Sequence, residues 1–201
     1  MSIRVRRMCL EDIVHVRDID VCCFSDMLSP VNYETEFTNP LAHYLVAYYD
    51  AEVHLNETSG TRLHRIIGFI GLWYMAGEIH IINLAVHPDY RQIGVGELLL
   101  IHGIELAIGL KATLMTLEVR VSNLAAQTLY VKYGFSERGV RRAYYLDNNE
   151  DARIMTLDNM YTAEFNTAMC TLKNSYLQLQ KVSVGADVFT LAQRGTQYGN
   201  E

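Results

Sequence analysis

The stretch Arg91-Gln92-Ile93-Gly94-Val95-Gly96 decides the reading of this chain, because it joins two patterns of different period. Before it, Glu78 to Val86 reads as a strand that ends in the turn signal His87-Pro88-Asp89. After it, Leu100, Ile101, Ile104, Ala107 and Ile108 fall at i, i+1, i+4, i+7 and i+8, one face of a helix packed on a sheet. Glycines at such a junction remove side chains, so that successive backbone N–H groups can close on an anion. The helix start adds its unpaired donors and the positive end of its dipole. The result is a cradle for a pyrophosphate. The dinucleotide fingerprint needs a third glycine where this chain has Leu99, and the P-loop needs Gly-Lys-Ser/Thr where Gly96 is followed by Glu97-Leu98. Both nucleotide readings fail, and a G-x-G at a helix start can also be a plain structural turn.

Outward from this junction the chain alternates strands and helices. Residues 2–7 alternate as a first strand, and Leu10 to about Phe24 reads as a helix with Glu11 and Asp12 in its opening turn. Ser25 to Pro30 reads as a loop and Tyr33 to Phe37 as a short helix. Tyr44 to Tyr49 and Ile66 to Tyr74 read as strands around a polar inserted loop, Asp50 to Arg65, with His54 and His64 as loop residues and not metal ligands. Ala76-Gly77 turns the chain into the strand Glu78 to Val86. Thr113 to Val119 is a strand with few charges and so central. Ser122 can cap a helix from about Asn123 to Tyr133 that Gly134 stops. Phe135 to Tyr145 and Arg153 to Leu157 form a last pair around Asp147-Asn148-Asn149. The expected fold class is α/β, a mixed sheet with helices on both faces, over residues 1–160. Residues 161–201 change character and form an extension, part helical and part flexible, in which Leu172, Tyr176 and Leu179 hint at a docked helix.

Composition narrows the function. Half the residues are hydrophobic and the net charge is -6, which suits a globular core and argues against a nucleic-acid binder. The four cysteines, Cys9, Cys22, Cys23 and Cys170, make no C-x-x-C pair and read as buried thiols in a reducing cytosol. No metal site is expected. Arg4, Arg6 and Arg7 run into Glu11 and Asp12 without an apolar core, and no run is long enough to span a bilayer. These features point to a cytoplasmic protein with no membrane partner.

With its context, the R-x-x-G-x-G pattern resembles the coenzyme A loop of the GCN5-related N-acetyltransferases. The resemblance extends over Asn83 to Tyr90, Leu117 to Ala126, Leu129-Tyr130, Gly134-Phe135, Arg141 to Tyr145 and Glu150-Asp151-Ala152, and it is to the branch acting on the alanine N-terminus of ribosomal proteins. It covers about residues 2–158. It implies the GNAT fold and acetyl-CoA as co-substrate. The backbone of Leu84, Ala85 and Val86 would bind the pantetheine arm and the acetyl carbonyl. Arg91, Gln92, Ile93, Gly94, Val95, Gly96 and Glu97 would hold the pyrophosphate, and Asn123 the pantetheine amides. Glu118 matches the general base and Tyr130 the general acid, while Tyr144 and Tyr145 fall where the peptide cleft is lined. The implied substrate is the α-amino group of a protein N-terminus, met by a monomer or a homodimer.

Each assignment has a plainer counterpart. Glu118 could be a structural ion pair with Arg120 or a neighbouring strand residue, since a carboxylate in a central strand is costly unless paired. Tyr130 could be core packing, Asn123 a helix cap, and Arg138, Arg141 and Arg142 a solvated strand face. The chain departs from the branch at Phe24 to Asn32, which is longer and lacks a tryptophan, in the enlarged 50–65 segment and in the tail. These differences lie where substrate is chosen. A lysine or small-amine acetyltransferase, or a non-catalytic acetyl-CoA-binding regulatory module, therefore stay as alternatives.

Overall fold

A computed structural model describes residues 2–24, 31–54 and 60–186. The elements in chain order are β1 (Arg4–Arg7), α1 (Ile13–Phe24), α2 (Tyr33–Thr38), β2 (Ala42–His54), β3 (Gly60–Met75), β4 (Glu78–Val86), α3 (Val95–Gly109), β5 (Leu114–Arg120), α4 (Leu124–Lys132), β6 (Ser136–Tyr145), β7 (Glu150–Leu157) and α5 (Ala163–Ala186). The seven strands make one sheet in the order β1-β2-β3-β4-β5-β7-β6. Every pairing is antiparallel except that of β4 with β5.

The period-2 alternation of the strands divides the molecule into two cores. Leu45 and Ala47 of β2, with Ile67, Ile70 and Leu72 of β3, lie on the α3 side. Tyr44 and Val46 of the same β2 face Ile13, Val16 and Ile19 of α1 and Tyr33 of α2. α3 is apolar nearly all round, which marks a helix buried on more than one side. The sheet covers one side, and α5 sends Phe165 and Tyr176 into the same core. The sheet-and-helix architecture expected from sequence is observed, with the helix order intact.

Three local readings are corrected. Much of the segment read as an inserted loop is strand: β2 runs on to His54 and β3 begins at Gly60, paired from Asp50↔His64 to His54↔Gly60, and residues 55–59 lie outside the described residues. Pairing between neighbouring segments, and not the polarity of the individual residues, sets the strand conformation here. His54 and His64 therefore lie on strands, and His64 Nδ1 sits 2.9 Å from Asp50. The cap of α4 is Asn123, whose side chain accepts from the Ala126 N–H, and not Ser122. The cysteines are free but not buried: Cys22 and Cys170 are exposed, Cys9 and Cys23 half-buried. The loop read at Ser25–Pro30 and residues 187–201 of the extension lie outside the described residues.

Candidate active site

β4 and β5 pair over only three residues, Glu78↔Leu114, Ile79↔Met115 and His80↔Thr116. Beyond that point β4 follows β3 to Val86 and β5 follows β7 to Arg120. The two strands separate, and a gap opens in the middle of the sheet with one edge of β4 freed from a strand partner. A bulge contributes: Gly71 pairs with Asn83 but Leu72 with Ile81, so Ile82 is left over and β4 bends there. Leu84, Ala85 and Val86 lie past the bend.

At the end of β4 the chain enters the loop singled out in the sequence. Gln92 (φ 64°) and Gly94 (φ 87°) both take left-handed conformations. Alternation of that kind turns successive N–H groups to one side and forms an anion-binding concavity. Gly94 needs its lack of a side chain for that φ, and it caps α3. Gly96 does not need it for the fold. A Cβ there would meet only Leu84 and Val86 side chains at 3.5 and 3.6 Å, ordinary contact distances. Its bareness leaves the backbone open to a ligand. The first intrahelical bond is from Leu98 N–H to the Gly94 carbonyl, so the N–H groups of Val95, Gly96 and Glu97 have no partner within the helix. The side chains of the loop are turned elsewhere. Glu97 accepts from Lys132 and Tyr133 of the α4 region, both at 2.6 Å. Arg91 donates through Nε to the Val86 carbonyl at 3.2 Å and approaches Cys23 Sγ at 3.4 Å. The cradle is a backbone device, and it fits the pyrophosphate of a coenzyme A.

Glu118 stands in β5 inside the gap, its side chain 6% exposed. Thr116, Glu118 and Arg120 share the strand face opposite Met115, Leu117 and Val119, which pack under the helices. Its partner is neither Arg120 nor solvent. His80 Nε2 donates to Oε2 at 2.6 Å, and Arg141 lies 3.1 Å from Oε1. The bond from His80 holds the carboxyl below the usual carboxylate range against the opposing effect of burial, and Arg141 adds to it. Glu118 is an ionised carboxylate. Arg120 is engaged elsewhere, bidentate to Asp147 and bonded to Glu150, with its guanidinium 3.9 Å from the centre of the Tyr145 ring.

The two aromatic residues of β6 reach the site through a second irregularity. Pairing with β7 skips between Arg141 and Tyr145, where Ala143 takes φ 47° and Asp151 accepts from both the Ala143 N–H and Arg142. Tyr145 then points its hydroxyl at the Glu118 carbonyl, 3.5 Å away, and Tyr144 stacks edge-on against Tyr145. Tyr130, on α4, is buried against Phe135. Burial, with Tyr145 nearby, raises its phenol well above the ordinary value, so it stays protonated. Asn123 uses Oδ1 as the cap, which leaves its amide nitrogen free to face a ligand.

The structure thus places Glu118, Tyr144 and Tyr145 together, with Tyr130 close to Tyr145. The phosphate loop and Asn123 stand at the helix starts that follow β4 and β5. Sequence reasoning missed His80 and Arg141. It also missed Gln127, whose Nε2 donates to the carbonyls of Arg120 and Val121 and fixes the β5–α4 turn. Glu150, which the resemblance includes without a role, accepts from the Ser122 N–H, and its pKa is lowered to about 2 by Ser122 and Arg120. Among the described residues no group of three His, Cys, Asp or Glu could hold a metal ion, and no helix is long and apolar enough to cross a membrane.

Comparison with known proteins agrees with this arrangement. The profile described as "Acetyltransferase (GNAT) family" matches residues 13–135. A Bacillus subtilis (strain 168) protein, provisionally named a ribosomal protein bS18-alanine N-acetyltransferase, is 39% identical over 152 residues, 75% of this chain and 92% of that protein. The N-alpha-acetyltransferase of Sulfurisphaera tokodaii is 35% identical over 76% of this chain and 90% of its own length. Among solved structures, the ribosomal-protein-S18-alanine N-acetyltransferase of Escherichia coli superposes with a TM-score of 0.62 at 26% identity, covering 78% of this chain and 93% of that one.

Proposed function

The chain belongs to the acetyltransferase (GNAT) family, and from that premise we propose that it moves the acetyl group of acetyl-CoA onto the α-amino group of a protein N-terminus. A ribosomal protein beginning with alanine is the substrate class that its relatives' names suggest, and the cytoplasm is where we place the reaction. The observation that carries this reading is the ionised Glu118 inside the gap between β4 and β5, beside two tyrosines and behind a backbone cradle for pyrophosphate.

The chemistry asks little of the base. An amine attacks a thioester only when neutral. An α-amino group with pKa near ~7.8 is roughly a third neutral at cytosolic pH, against about 0.1% for a lysine near ~10.4. A carboxylate whose own affinity for protons is lowered suits the first task better than the second. Glu118 takes the departing proton, and the bond from His80 fixes the carboxylate while it waits. The freed edge of β4 at Leu84, Ala85 and Val86 offers backbone groups to the carbonyl as charge develops on it. Tyr130 serves the leaving sulfur. A thiol near ~8.5 is more acidic than a tyrosine phenol near ~10, and burial holds Tyr130 above that ordinary value, so the proton stays largely on the tyrosine. Its contribution is a hydrogen bond to the thiolate. The free amide of Asn123 and the N–H groups of Val95, Gly96 and Glu97 hold the co-substrate, while Tyr144 and Tyr145 line the peptide side. Residues 1–160 carry this chemistry, and 161–201 are an extension whose helix braces the α3–α4 face.

The test is thiol release from acetyl-CoA with short peptides whose N-termini are free or blocked. Turnover that requires a free N-terminus and is abolished by Glu118→Gln supports the reading. Turnover only on lysine or small amines, or acetyl-CoA binding without turnover, overturns it.

A further inference from the structure

The proposed acceptor site already contains a cation, and it belongs to the chain itself. Both oxygens of Glu118 are occupied, Oε2 by His80 and Oε1 by Arg141. An incoming ammonium must compete with both of them for the same carboxylate. His80 sits on β4 in the last pair shared with β5, and β3 holds it from the other side. Arg141 sits on β6, the edge strand, next to the break in pairing at Ala143, and its side chain is 53% exposed. It is the partner that can leave at small cost. The other arginines of this sheet edge have carboxylates of their own: Arg138 with Asp158, Arg142 with Asp151, Arg153 with Glu137, Arg120 with Asp147 and Glu150. Arg141 instead reaches into the gap. Its guanidinium lies 5.5 Å from the centre of the Tyr144 ring, so a carboxylate and an aromatic face together hold a positive charge.

We infer that Arg141 is a stand-in for the substrate's α-ammonium, occupying the Glu118–Tyr144 cation site until a peptide N-terminus displaces it and returning once acetylation has removed the charge. The inference rests on the reading of this site as the acceptor site for an N-terminal amine. Two consequences follow from charge alone. A blocked N-terminus brings no charge to replace the guanidinium, so it is disfavoured before any chemistry. The acetylated product is likewise neutral, and the returning guanidinium helps to expel it. A fixed positioning role for Arg141 would produce neither effect, because loss of the side chain would then weaken catalysis and not relieve competition.

The experiment compares wild type, Arg141→Ala and Arg141→Lys on an alanine-starting tetrapeptide, with the N-acetylated tetrapeptide as inhibitor. Displacing the exposed arginine end of this pair corresponds to about two- to fivefold. Arg141→Ala is expected to lower both the peptide KM and the inhibition constant of the acetylated peptide by that factor, with Arg141→Lys close to wild type in both. A kcat that falls at unchanged KM and is rescued by Arg141→Lys would show a positioning role and overturn the inference. So would a KM that rises. If wild type and both variants turn over no peptide with a free N-terminus, the fault lies in the acceptor assignment itself, and the inference falls with it.

Discussion

His80 Nε2 and Glu118 Oε2 lie 2.6 Å apart across the two strands that part company just beyond them. The carboxylate is therefore held by the neighbouring strand at the root of the gap and not by Arg120 two positions along its own. Glu118→Gln keeps the shape of the side chain and removes its capacity to take a proton. We expect kcat to fall about 10²- to 10⁴-fold with acetyl-CoA affinity unchanged. Steady-state kinetics paired with calorimetric titration of acetyl-CoA checks both halves.

The pH dependence follows from the direction of that shift. Glu118 has its pKa lowered, so it is ionised at every pH above the usual carboxylate range and contributes no inflection near neutrality. The rise of kcat/KM should track the substrate α-amine, near ~7.8. Peptides whose N-terminal amines differ in pKa should move the limb with them. His80→Ala removes the largest cause of the lowering, and the carboxylate limb on the acid side should move to higher pH. A limb that ignored the peptide amine would argue for a different proton acceptor.

Tyr130→Phe removes one hydroxyl from a buried ring and leaves its packing on Phe135. A hydrogen bond to a charged group is worth about 1.5–3 kcal/mol, so kcat should drop roughly ten- to a hundredfold. The KM for acetyl-CoA should hardly change. Equal losses in kcat and in acetyl-CoA binding would mean that Tyr130 shapes the pocket instead.

Gly94 and Gly96 should respond differently to the same methyl group. Gly94→Ala places a Cβ at φ 87° and should cost about 1–2 kcal/mol of stability. Gly96→Ala meets only ordinary contacts in the fold. Its melting temperature should stay near wild type while acetyl-CoA affinity falls about tenfold or more, the equivalent of a lost charge-assisted hydrogen bond. Thermal melts with and without acetyl-CoA separate the two effects.

The extension can be tested apart from catalysis. Phe165 is buried beside Gly134, and Lys173 forms an ion pair with Glu105 of α3. Phe165→Ala should lower the unfolding free energy by about 3 kcal/mol. Denaturant titration gives the number, and a negligible change would mean that α5 is not part of the cooperative core.

What could be read in advance, and what could not, divides by range. The α3 loop, the Ala76-Gly77 turn and the Gly134 stop are local, written in a few adjacent residues whose backbone angles follow from glycine chemistry. The Leu172–Tyr176–Leu179 spacing was half right: Leu172 packs on the core and Tyr176 is buried, but Leu179 is 64% exposed. The site itself is long-range. His80, Glu118 and Arg141 meet only because β4 and β5 share three rungs and β6 lies at the edge with a broken register, and no window of sequence contains that information. Arg141 looked like one more solvated arginine for this reason. The 50–65 segment differs: its polar composition reads as loop, while its strand conformation comes from the pairing of 50–54 with 60–64.

The most direct test is a single peptide that offers both amines, beginning with alanine and carrying an internal lysine, incubated with acetyl-CoA and the enzyme and then fragmented by mass spectrometry. One acetyl group is expected, on the α-nitrogen of the alanine, and none when Glu118→Gln replaces wild type. An acetyl group on the lysine side chain, with the N-terminus left free, would contradict it.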